Sequence, residues 1–144
     1  MGNGKRQNAL LVEIIIAVLF FSLGSAVCVQ AFVKAHLTSR EARDLAFASS
    51  TVSSAANVLR CSDASPEQFT AYFPGAVQDA DGALFVCYGE DFAPCGEDEA
   101  AYVLRAETAA DGAVRACHIT MGGQAGVIYE LDLRWPGQEA AHGQ

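Results

Sequence analysis

Residues 9–33 read ALLVEIIIAVLFFSLGSAVCVQAFV, twenty-five residues in which Glu13 is the one side chain charged at neutral pH. At about 1.5 Å per residue a helix of this length spans roughly 37 Å, enough to cross a hydrocarbon core of about 30 Å with some tilt. The stretch is expected to be a transmembrane helix. A cleavable secretory signal is the nearest competitor, because Lys5 and Arg6 precede the run. The run exceeds the apolar core of about 7–15 residues usual in such signals, and no A-x-A site closes it. A lipoprotein cut at Cys28 is disfavoured by Val27, where a small residue is needed.

Orientation does not follow from basic residues alone, since Lys5 and Arg6 lie before the span and Lys34, Arg40 and Arg43 after it. The short N-terminal tail and the four cysteines beyond the span suit an N-terminus inside the cell and a C-terminal domain in an oxidising exterior. A cell-membrane, single-pass location is the expectation.

Downstream, no Pro or Gly interrupts residues 25–60, which are rich in Ala and other helix formers, so the helix is expected to continue. Leu37, Leu45, Ala48, Val52, Ala55 and Leu59 recur at helical spacing and make one apolar face, with Arg40, Arg43 and Asp44 off it. A short helix after Pro66 comes next. Four strand-like runs follow, at 83–88, 101–107, 113–121 and 127–135, separated by Asp81-Gly82, the Pro94-Cys95-Gly96 loop, Asp111-Gly112 and Gly122-Gly123. In the last run Val127, Tyr129, Leu131, Leu133 and Trp135 alternate with Ile128, Glu130, Asp132 and Arg134, which places the two sets on opposite faces of a sheet. The expected fold class is α+β: a long N-terminal transmembrane helix continues as an amphipathic helix that packs on a small antiparallel sheet. The organisation is a basic leader (1–8), the transmembrane helix (9–33), its amphipathic extension (34–61) and an exterior β-sheet domain (62–144).

Charge excludes one large class of partner. Residues 1–60 hold six Lys or Arg against three Asp or Glu, whereas 61–144 hold three against fourteen. A domain so acidic repels phosphate and gains nothing from counterion release, so no nucleic-acid partner is expected.

The segment Ala9-Leu10-Leu11-Val12-Glu13, in a basic leader–apolar helix–small sheet order, resembles the type IV pilin and pseudopilin family. In that family a cytoplasmic-side prepilin peptidase cuts before the first apolar residue, the new N-terminus is methylated, and a Glu stands fifth in the mature chain. Glu13 in that place sets cleavage and methylation between Asn8 and Ala9, with Leu11 and Val12 in the apolar third and fourth places. The site is degenerate: Asn8 stands where the family has Gly, Ala9 where Phe is usual, and Leu10 where Thr is common. The resemblance implies a structural subunit of a type IV pilus, type II secretion pseudopilus or competence-type filament. Its partners would be the membrane, other pilin-like subunits, a prepilin peptidase and an assembly platform protein.

Glu13 supports assembly on physical grounds as well. A carboxylate in an apolar span costs roughly 2.5–3.5 kcal/mol on insertion scales, so it wants a cationic partner. The amine of Ala9 in a neighbouring subunit would serve if the leader is cut, and Lys5 or Arg6 of a neighbour if it is kept. The other reading is that Glu13, near the start of the span, reaches back to the headgroup layer.

Of five cysteines, Cys28 lies among the small residues Ser22, Gly24, Ser25 and Ala26, where helices can approach closely. Cys61, Cys87, Cys95 and Cys117 are candidates for two disulfides, with three connectivities open. Strands one and three of a meander lie roughly 9.6 Å apart, which disfavours Cys87 with Cys117 and favours Cys87 with Cys95 and Cys61 with Cys117. No C-x-x-C pair suggests redox catalysis or zinc, and no metal site is expected. The acidic groups Asp79/Asp81, Glu90/Asp91 and Glu97/Asp98/Glu99 read as solvated loops, with calcium as the alternative occupant and no other cofactor implied. His36, His118 and His142 are isolated, no nucleophile motif is present, and no enzyme is expected. The competing function is a monomeric single-pass membrane-anchored extracytoplasmic binding domain.

Overall fold

In the computed structural model the described residues are 3–137. One α-helix, α1, runs from Asn3 to Cys61, and the chain divides into two compact units between Ala42 and Arg43. In the first unit every residue from Gly4 onward is exposed, including the apolar run, and the helix is long and apolar enough to cross a membrane.

The second unit begins within α1. Ala48, Val52, Ala55, Ala56 and Leu59 are buried in the core, while Phe47 and Val58 pack on its margin. The stripe expected from sequence therefore starts later than its periodicity suggested: Leu37 and Leu45 are exposed. Periodicity identifies a face but not how far the sheet reaches along it.

The helix ends in two residues with positive φ, Asp63 (48°) and Ala64 (62°). Ala64 N–H donates to the Leu59 carbonyl at 2.8 Å, the wide closing bond of a Schellman-type terminus. Neither residue is Gly, so each left-handed position costs about 1–2 kcal/mol. The Arg115 guanidinium, 3.6 Å from the Asp63 carboxylate, helps to hold this corner. The short helix α2 (Pro66–Tyr72) follows, with Pro in its first turn as fits a residue lacking an N–H. It buries Phe69, whose ring stacks on Phe73 at 4.7 Å.

Five strands complete the unit: β1 (Val77–Gln78), β2 (Leu84–Tyr88), β3 (Tyr102–Asp111), β4 (Val114–Gly123) and β5 (Gly126–Pro136). They form one antiparallel sheet in chain order. The two-residue β1, too short to show alternation, is the strand that the sequence did not reveal. The inward residues include Leu84, Val86, Tyr88, Leu104, Ala106, Cys117, Ile119, Met121 and Trp135, which join the helix stripe in one core. The fold is thus α+β, a long helix whose C-terminal part packs on a five-stranded antiparallel sheet.

Two hairpins are tight. β3 and β4 are joined by Gly112-Ala113, and Gly112 has a φ of 60°, the sign that primed two-residue turns need at their first position. Gly122 and Gly123, expected in a turn, belong instead to β4, and the turn is Gln124-Ala125. Between Met121 and Gly122 the ladder to β5 shifts: Met121 faces Tyr129 and Gly122 faces Val127, so Ile128 is a bulge residue. The bulge explains a correction. Val127 was expected on the inner face with Tyr129, Leu131, Leu133 and Trp135, but it lies beyond the slip and is exposed.

Candidate functional site

Among the residues expected to act in assembly, Lys5, Arg6, Asn8, Ala9 and Glu13 all lie exposed on α1. Ala9 and Glu13 are four residues apart and share one helix face. No hydrogen bond or ion pair joins Glu13 to another described residue. Farther along, Gly24, Ser25 and Cys28 floor a groove flanked by Phe20, Phe21 and Phe32. The Ser22 hydroxyl donates to the Val18 carbonyl at 2.8 Å, which removes a polar group from that apolar surface. His36 is exposed, and His142 lies outside the described residues.

In the second unit the loop after β2 is built as a clasp. Tyr88 and Pro94 form an isolated antiparallel bridge. Gly89 N–H donates to the Ala93 carbonyl at 2.9 Å, Phe92 N–H to the Gly89 carbonyl at 3.0 Å, and Ala93 N–H to the Asp91 carboxylate at 3.1 Å. A Cβ at position 89 would lie 3.0 Å from that carboxylate, so glycine suits the position by its lack of bulk. The loop drives Phe92 into a left-handed conformation (φ 63°) and lays its ring on Phe47 of α1, centroids 4.3 Å apart. The Arg43 guanidinium lies 5.4 Å from the Phe92 ring centroid, a cation–π distance, and the Tyr102 hydroxyl donates to Asp44 at 3.0 Å. Asp91, expected in an acidic loop, is therefore a loop-forming acceptor. Glu97–Glu99 form an exposed 3-10 turn.

The outer face of the sheet carries a charged row. Cross-strand register sets Glu107 of β3, His118 of β4 and Asp132 of β5 side by side. His118 Nδ1 lies 2.6 Å from Asp132 Oδ1, and the hydrogen bond to that carboxylate raises the imidazole pKa above its ordinary value; burial opposes it, and the carboxylates of Asp132, Glu130 and Glu107 add to the rise. Arg105 Nε pairs with Glu107 at 2.8 Å. With Arg134 and Asp81 these side chains border a concavity of about 680 Å³. Such a row can bind a small polar molecule or a peptide segment through paired charges. The sequence placed Asp132 on this face but not opposite His118. Counting outward from the hairpin turn without the bulge sets His118 against Leu131, so the single extra residue Ile128 makes the pair.

All five cysteines are free thiols. Neither expected pairing, Cys87 with Cys95 or Cys61 with Cys117, is formed; Cys61 is exposed at the end of α1, whereas Cys117 is buried in the sheet's inner face. Burial, with a smaller contribution from Asp132, pushes the Cys117 thiol up to about 12 and leaves it protonated and inert. Cys87 and Cys117 lie on opposite faces of the sheet, since Cys87 alternates with the inward Val86 and Tyr88. Cys87 and Cys95 are neighbours, the Cys95 N–H donating to the Cys87 carbonyl at 3.0 Å. Among the described residues no three acidic, His or Cys side chains converge as metal ligands, so the acidic loops expected as the alternative calcium site are not gathered into one.

Comparison with protein-family models, with curated proteins and with solved structures gave no match.

Proposed function

We propose that this chain is a pilin-like structural subunit, held in the cell membrane by residues 9–33 and assembling with other pilin-like chains into a type IV pilus, type II secretion pseudopilus or competence-type filament. One observation carries the reading: α1 is a single helix whose residues 4–43 are all exposed, while Ala48, Val52, Ala55, Ala56 and Leu59 are built into a sheet-covered core. The apolar half of this helix finds no cover among the described residues. Lipid covers it in the membrane, and other helices would cover it in a filament. Gly24, Ser25 and Cys28 offer the close approach that helix packing in an apolar medium uses.

Glu13 gives the assembly its register. Its burial is favourable only beside a cation, so the carboxylate would select the stagger at which a neighbour's Ala9 amine, or its Lys5 or Arg6, comes alongside. The domain would face the exterior, and the leader would be cut between Asn8 and Ala9 or retained with its two basic residues. The proposal assigns no catalytic step to the chain.

The test is Glu13→Leu in cells. Membrane level should be unchanged or higher, because the insertion penalty is removed. Crosslinked multimers should disappear while the monomer stays in the membrane fraction. Multimers at the wild-type level would defeat the proposal. The second reading, an anchored monomeric binding domain, is favoured by the concavity beside His118 and Asp132; it predicts that Glu13→Leu is neutral and that substitutions in that concavity are not.

A further inference from the structure

Beyond assembly, the edge of β2 carries a feature that the filament reading does not use. β2 is flanked near its start by β1, through Val77 with Phe85 and Gln78 with Leu84. Farther along the same edge Pro94 and Cys95 take over the flank: Tyr88 pairs with Pro94, Gly89 N–H donates to the Ala93 carbonyl, and Cys95 N–H donates to the Cys87 carbonyl. This bonding brackets Tyr88 and Pro94 as a non-hydrogen-bonded pair and sets Cys87 directly opposite Cys95. In a regular ladder residues so opposed have Cα atoms about 5.5 Å apart and side chains on one face, within the range of about 4.4–6.8 Å that a disulfide spans, and here one of the two bonds of such a pair is made. A Cβ added to Gly89, two residues on from Cys87, would lie 4.0 Å from Cys95 Sγ, which places that sulfur over the same face.

We propose that Cys87 and Cys95 form a dithiol–disulfide site that takes a neutral or cationic disulfide as oxidant and, when closed, locks the clasp that holds Phe92 on the helix. The proposal is independent of the filament reading. Cys95 is half-buried and Cys87 is nearly inaccessible, so Cys95 reacts first. Its thiolate attacks one sulfur of the oxidant R–S–S–R, forms a mixed disulfide and expels R–S⁻. The Cys87 thiol gives up its proton and attacks Cys95 Sγ, closing the protein disulfide and expelling the second R–S⁻. The two cysteine protons end on the two R–S⁻ groups; the cysteines lose two electrons and the oxidant is reduced to two thiols.

Surrounding charge selects the oxidant. Both thiols are held above their ordinary range, first by burial; Glu99 and Asp91 raise Cys95 further, and Glu97 and Cys95 raise Cys87. These carboxylates repel an anionic disulfide and attract a cationic one. The closed ring runs from 87 to 95 and contains the whole loop that presents Phe92, so oxidation removes the loop's freedom to swing away from Phe47.

Full-length protein in detergent is exposed to cystamine or to glutathione disulfide, free thiols are blocked with N-ethylmaleimide, and the chain is cleaved after Glu90 and analysed by mass spectrometry without reduction. The expected result is loss of both labels at Cys87 and Cys95, a linked peptide pair lighter by two hydrogens, and faster closure with cystamine than with glutathione disulfide, the preference shrinking in high salt. Hydrogen exchange at the Ala93 and Cys95 amides should slow on closure, and Cys95→Ser should abolish both changes. Full labelling of both cysteines after oxidation of the folded chain overturns the site, as does a Cys95 link to Cys61 or to another chain. Equal rates with the two oxidants overturn the charge selection.

Discussion

Residues 4–43 and 44–61 belong to one helix, yet they meet opposite surroundings. In the first stretch every residue is exposed, and Phe21 and Phe32 each show 78% of their surface. In the second, Ala48, Val52, Ala55 and Leu59 are fully buried beneath a sheet that the same chain supplies. The two stretches suit different surroundings. The later half needs an amphipathic stripe because its cover is on one side, whereas residues 9–33 of the earlier half are apolar nearly all round, as suits a lipid or multi-helix surrounding. Apolar content alone would treat them alike; its distribution around the helix separates them.

Truncating one leucine from each half is the strongest way to break this contrast. Leu59→Ala removes a core side chain and should destabilise the sheet domain by about 2–5 kcal/mol in chemical denaturation. Leu19→Ala should leave that transition unmoved and instead weaken membrane partitioning, by about 0.8 kcal/mol for each CH₂ withdrawn from the apolar phase. A fall in sheet-domain stability with Leu19→Ala would show that the halves are not energetically separate.

A smaller effect sharpens the boundary. Tyr102→Phe removes the hydroxyl that donates to Asp44, near the first residue of α1 that the sheet shelters, and should cost about 0.5–1.5 kcal/mol in the same denaturation. Hydrogen exchange should then rise in the helix around residues 44–48 and stay unchanged toward Leu59.

The smallest effect concerns the outer face. Asp132→Asn should lower the His118 pKa toward its ordinary 6.5, read by NMR titration. Because the folded-state pKa is raised, the pair adds stability that is fully present below about 6.5 and is lost as pH rises through the folded value. Wild type and variant should therefore differ most in mildly acidic solution and converge in alkali. Both side chains are substantially exposed, so solvent screening keeps the difference small.

The elements that sequence disclosed are those with a long local pattern or a proline to mark them: the apolar run, the helix beyond it, α2 after Pro66, and four of the five strands. The inner face of β5 was readable from Tyr129, Leu131, Leu133 and Trp135 because alternation persists over many residues. What stayed hidden depends on one-residue events or on distant partners. A single bulge at Ile128 turned Val127 outward and brought Asp132 to His118. The Phe92 clasp needs a left-handed non-glycine residue and a helix forty-five positions away, neither of which leaves a trace in composition. Strand separation in the expected meander disfavoured Cys87 with Cys117, but the loop's return along β2, which brings Cys95 beside Cys87, left no trace in the sequence.

The meander order of the strands has a consequence for folding speed. Every ladder joins strands adjacent in the chain, and two of the connections are only two residues long, so closing them costs little chain entropy. Hairpins of this kind form in roughly 1–10 μs. The contacts between α1 and the strands are the distant ones: Val52 and Leu59 share a core with Ile119 and Trp135, and such long-range encounters are expected to be the slow step. A ribosome delivers the helix first, so its stripe waits uncovered while the strands are made. Mutations that tighten a hairpin turn should thus change refolding rates little, whereas those that weaken helix docking should slow them.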